Sequence, residues 1–214
     1  MLPYTAALVL GTVHALEADH MAAVTSFAVR KPAPLAAARF GVQWAFGHGA
    51  SLLLAGSALL LIGLAIPETA SIWLDRLVAL VLVGLGVWTL RNANRLRAHT
   101  HMHDGRTHVH LHPERAGHDH DHRHAPTMVG MLHGMAGAAP AIALLNISGA
   151  NSVLQGVSAI LVFALGTAFG MAGYALFAGF IAGRAALASE KLARAVGRFT
   201  GIGTIIIGIY WLFR

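Results

Sequence analysis

The chain has 214 residues, 56% hydrophobic and only 11% charged, against roughly 25% charged in soluble domains, and its mean hydropathy is +0.63. These values exclude an ordinary soluble domain and point to an all-α polytopic membrane protein. The formal net charge of +6 gives no reason to expect a nucleic-acid partner, because Lys and Arg sit in short clusters between apolar runs, where they orient a chain in the lipid bilayer.

A helix needs about 20 mostly apolar residues to cross the hydrocarbon core. Six stretches qualify, at 4–29, 35–65, 72–91, 127–148, 153–183 and 195–213. The N-terminal MLPYTAALVL has no basic leader, so it reads as the start of a span and not a cleaved signal. The second and fifth stretches exceed the required length, and tilt or a break is expected in each. Arg30, Lys31 and Arg39 mark the first connection, and Arg91, Arg95, Arg97, Arg106, Arg115 and Arg123 the third. Arg184, Lys191, Arg194 and Arg198 mark the fifth, while the second has only Arg76 beside Glu68 and Asp75. Alternation of basic and non-basic connections is expected to place the third on the cytoplasmic side of the cell membrane and both termini outside.

The first span contains HALEADH, with His14, Glu17, Asp19 and His20 between apolar flanks. Ionisable groups at mid-depth are costly and usually face a cavity or a partner. A single buried His serves commonly as helix glue, but four such groups in seven positions suit a divalent metal ion. Neutral imidazoles supply donors, and carboxylates offset the ion's charge. With no cysteine in the chain, thiolate ligands and a thiol nucleophile are excluded. Nitrogen and oxygen donors suit nickel(II) and cobalt(II), with zinc and manganese also compatible. On a straight helix at 100° per residue, His14, Glu17 and His20 share one face and Asp19 falls about 140° from His14. Either this helix is distorted, or Asp19 orients a ligating His on another helix.

In the second span Gly47 and Gly49 flank His48, which signals close helix contact or an unwound turn. His48 and, in the fourth span, His133 join His14, Glu17, Asp19 and His20 as candidate metal ligands. The third connection holds the other ten histidines over 97–126. It has little apolar content, so it is expected to be disordered and to act as a cytoplasmic metal buffer.

The two halves resemble each other. Gly11 aligns with Gly130, His14 with His133 and Gly47 with Gly166 at an offset of 119; Arg76 aligns with Arg198, Gly86 with Gly208 and Trp88 with Tyr210 at 122. A three-span unit repeated in series must invert. The expected organisation is therefore two inverted three-helix repeats, 1–96 and 127–214, joined by the His-rich connection 97–126, with a substrate site where the halves meet.

The motifs resemble those of the nickel/cobalt transporter family, in particular its shorter branch of urease-accessory-type nickel permeases. His14-Ala-Leu-Glu-Ala-Asp19-His20 is similar to the family's H-x4-D-H. WAFGHGAS around His48 resembles F-x-x-G-H-[ST], with Gly49 at the usual hydroxyl position, and HGMAG at 133–137 resembles H-G-x-A-G. The resemblance implies that His14, Asp19 and His20 are needed for transport and that the substrate is nickel or cobalt. A secondary transporter is thus expected, working by rocking of the two halves, with a cytoplasmic metal-accepting protein as a possible partner. No Walker loop is present and no cofactor is expected. A proton-coupled carrier of another small solute, using the same groups as a relay, is the competing reading. An intramembrane metalloprotease would need H-E-x-x-H, which is missing, so enzymatic activity is not expected.

Overall fold

The computed structural model describes residues 2–30, 32–62, 67–103, 106–113, 125–136 and 152–213. Among them the order is α1 (Leu2–His14), α2 (Ala18–Ala28), α3 (Pro34–Ile62), α4 (Glu68–Arg95), β1 (Leu96–His103), β2 (Arg106–Pro113), α5 (Ala125–Ala136), α6 (Val153–Ala188) and α7 (Glu190–Phe213). By length and composition α3, α4, α6 and α7 can each cross a membrane, and α1 is a shorter apolar helix. The chain is a helical multi-pass membrane protein.

Local chemistry sets several boundaries. Pro34 opens α3, where a missing N–H costs nothing. Ser152 caps α6 by accepting from the Gln155 backbone N–H at 3.3 Å. At its far end the extended Ser189 breaks the helix, and its hydroxyl accepts from Leu192 N at 3.0 Å to start α7. One residue thus ends a 36-residue helix and caps the next. A 36-residue helix is about 54 Å long, well beyond the ~30 Å hydrocarbon core.

The core is built from small residues. Ala and Gly dominate the buried positions of α6, while Phe46, Leu54 and Phe169 face outward. This is how membrane helices bring their backbones close. α1 lies along α6, α5 along α3, α3 along α6 and α4 along α7. A Cβ at Gly11 would overlap Phe163 O, and one at Gly166 would overlap Leu8 O and stand 3.1 Å from Thr12 N. At the other seam a Cβ at Gly130 would overlap Trp44 O, and one at Gly47 would overlap Thr127 O and stand 3.1 Å from Met131 N. These contacts map onto each other residue by residue at the 119 offset: Gly11 to Gly130, Leu8 to Thr127, Thr12 to Met131, Trp44 to Phe163 and Gly47 to Gly166. Between α4 and α7, a Cβ at Gly86 would stand 2.7 Å from Gly201 O and 2.8 Å from Ile205 N. One at Gly208 would stand 2.9 Å from both Ala79 O and Val83 N, the same set at the 122 offset.

The structure departs from the sequence reading at the first stretch and at the His-rich connection. The stretch 4–29 is not one helix but α1 and α2, separated at Ala15–Glu17. Of the tilt or break expected in the second and fifth stretches, a break is excluded over Pro34–Ile62 and Val153–Ala188, where α3 and α6 run unbroken. Small residues let these long helices pack closely without unwinding. The fourth stretch is helical from Ala125 to Ala136, and its remainder lies outside the described residues. The connection 97–126, expected to be disordered, carries an antiparallel ribbon over Leu96–Pro113; residues 114–124 lie outside the described residues. The composition suggested disorder, but His alternates with Thr, Met, Val and Leu around Asp104-Gly105, a period-two pattern about a turn dipeptide.

Candidate metal centre

The centre starts from the break in the first span. Leu16 N bonds Val13 O at 2.9 Å and Glu17 N bonds His14 O at 3.0 Å, so the last turn of α1 tightens to i→i−3 spacing. Glu17 is then extended (φ −66°, ψ 152°), and α2 starts afresh at Ala18 with no side-chain cap. The break resets the helical phase and removes the conflict in Asp19's direction. Glu17 Oε1 lies 3.0 Å from His14 Nδ1, and Asp19 Oδ1 lies 3.0 Å from His20 Nδ1. Asp19 therefore acts on the His beside it and not on another helix. His14, Asp19 and His20 are buried, while Glu17 is about half exposed (48%).

α3 brings His48 in. Its continuous backbone is held against α5, where a Cβ at Gly134 would overlap His48 O and Ser51 Oγ. Ser51 Oγ also donates to His48 O at 3.0 Å. His48 is fully buried, and its Nε2 stands 3.4 Å from His20 Nε2. Two ring nitrogens at this distance need a proton or a cation between them. Single donor atoms of His14, His20 and His48 lie within 4.8 Å of one another, and the same holds for Glu17, Asp19 and His20. His20 belongs to both groups and joins the imidazoles to the carboxylates.

His133 reaches the same region from α5. Its ring centroid is 5.5 Å from that of His20, and its Nδ1 donates to Val129 O at 3.1 Å. It belongs to neither ligand group. His14 Nε2, His48 Nδ1 and His133 Nε2 are buried with no hydrogen-bond partner. Buried polar atoms are normally paired, so three orphaned nitrogens on imidazoles whose ring centroids all lie within 5.5 Å of that of His20 are a strong chemical signature. Glu17 and Asp19 bring two carboxylates to the centre, the formal charge that a dication requires.

Known proteins bear on this arrangement. A family model described as "Cytochrome C biogenesis protein transmembrane region" matches residues 6–210. The chain belongs to this family. The match runs from α1 into α7 and so includes every residue of the centre. "Urease accessory protein UreH" of Bacillus sp. (strain TB-90) is 28% identical over 210 residues, covering 98% of this chain and 90% of that one. No solved structure matches the chain.

Two aromatic walls of this family member were not singled out as site residues from the sequence. Trp44 is fully buried, with its ring 5.4 Å from His20 and 5.1 Å from His133 and its Nε1 without a partner. Phe163 is buried with its ring 5.3 Å from His14. The two aromatics are related by the 119 offset, so extending the repeat alignment beyond its glycines and histidines finds the pair. They set apolar ring surface against His14, His20 and His133.

Proposed function

We infer that this protein is a secondary transporter that moves a divalent transition-metal ion, nickel(II) or cobalt(II), across the cell membrane. One observation carries the reading: three buried imidazole nitrogens have no partner, on rings whose centroids lie within 5.5 Å of that of His20, beside two carboxylates that offset a dication. His14, His20 and His48 supply nitrogen donors; Glu17, the most exposed of the group, receives the ion, and Asp19 fixes the His20 ring so that its Nε2 lone pair faces inward. His133 completes the far wall as a further ligand in one access state. The relative's name, a urease accessory protein, agrees with the resemblance of HALEADH to urease-accessory-type nickel permeases and favours nickel. With no cysteine, the chain has no thiol of its own for redox exchange. The matching contacts at the two seams support a pair of inverted three-helix repeats. The basic connections support termini outside and the ribbon inside, where it can pass metal to a cytoplasmic acceptor.

The test is radiolabelled nickel(II) flux in proteoliposomes carrying the purified chain in sorted orientations. Saturable flux is expected with the native chain, and none above background with His20→Ala at equal insertion. Equal flux in both chains would refute the centre. Proton movement that needs no metal and is lost with His20→Ala would favour the proton-coupled carrier.

A further inference from the structure

The ribbon has an order that its His content alone does not imply. In the register of β1 and β2, His99 faces His110 and His101 faces His108. Directly opposed residues fall on the same face of an antiparallel pair, and so do residues two apart along a strand. Arg97, His99, His101 and His103 therefore share one face with His112, His110, His108 and Arg106. Leu96, Ala98, Thr100 and Met102 share the other with Pro113, Leu111, Val109 and Thr107. Every histidine of the ribbon falls on one face, and none on the other. The end pairs, Arg97 with His112 and His103 with Arg106, each place a fixed cation in the row. That leaves two adjacent His–His pairs at its middle.

Opposed positions hold their Cβ atoms about 4.5–5.5 Å apart, and positions two apart on a strand lie about 7 Å apart. Four histidine positions on such a rectangle carry the donor type that nickel, copper and zinc prefer. A lone two-stranded ribbon is marginally stable in water. An ion that ties its strands together would add its binding free energy to ribbon formation. β1 continues directly from α4 and lies beside α7, so an ordered ribbon forms against the helical bundle.

We propose that the juxtaposed pairs His99–His110 and His101–His108 make a second site for a divalent transition metal, separate from the intramembrane centre, and that metal binding there closes the ribbon. The site depends on register and not on the number of histidines. The test exchanges neighbours so that composition is unchanged: His99→Thr with Thr100→His, and His101→Met with Met102→His. The full chain in detergent is followed by amide hydrogen exchange over 96–113, with and without nickel(II) chloride, alongside the nickel bound per chain. Nickel should slow exchange in this segment at least tenfold in the native chain and leave the exchanged chain within twofold of its metal-free rate, with fewer ions held. Absence of protection in the native chain, or equal protection in both chains, overturns the proposal. The readout is local to 96–113, so its failure leaves the intramembrane centre untouched, and failure of transport leaves the ribbon untouched.

Discussion

At the α1–α6 seam and at the α3–α5 seam the same close backbone approaches recur, yet they deliver different side chains. His14 arrives at the first with Glu17, Asp19 and His20 just beyond the break in the chain. His133, tied to Val129 O, arrives at the second with His48, and neither helix has an acid among its described residues. The close approaches recur, and the acids are concentrated on one side. Symmetric packing gives two equivalent ways for the helices to meet, while an asymmetric donor set allows a single ion to be held with its charge matched once. The difference predicts that seam glycines behave as equals and seam histidines do not.

The largest effect should come from His20→Ala, which removes the residue common to both ligand groups. Nickel flux in proteoliposomes should fall by more than about 100-fold, beyond the 10–100-fold typical of losing a partner behind a ligand. Asp19→Asn keeps the shape and removes the charge that fixes His20, and nickel affinity measured by isothermal titration should weaken by about 10–100-fold. Gly47→Ala and Gly166→Ala each drive a methyl into a carbonyl of the facing helix. Each should destabilise by about 1–3 kcal/mol as overpacking does, and thermal melts in detergent should show equal shifts for both. Unequal shifts would break the equivalence of the seams. The smallest effect should come from His133→Gln, a loss of about threefold in nickel affinity, under 1 kcal/mol. A loss as large as that of His14→Gln would mean that the two sides share the ion evenly.

Much of this was legible in the sequence, for identifiable reasons. Apolar length alone places helices in five of the six expected stretches, and the sixth is helical as far as Ala136. The offset of 119, found from Gly11, His14 and Gly47, names the residues at both seams because close approach tolerates only glycine there. His14, Glu17, Asp19 and His20 stand out because charged groups in an apolar run are conspicuous. The break at Ala15–Glu17 was readable only as a conflict in angle, since no Pro or Gly marks it; the buried polar groups, not local propensity, account for it. Trp44 and Phe163 were passed over because an aromatic in an apolar helix carries no signal of its own. The ribbon is invisible to composition, because its signal lies in the alternation of His with Thr, Met, Val and Leu.

The exchange of partners between the halves also constrains how the protein is made. Gly11 packs on Phe163, a residue about 150 positions later, which at 5–20 residues per second leaves the ribosome roughly 8–30 s after it. Through that interval α1 and α2, with His14, Glu17, Asp19 and His20, wait in the bilayer without their eventual neighbour. A biogenesis factor that shields those groups, or a metal ion already seated on them, would have its greatest influence in that window, before the mature protein exists.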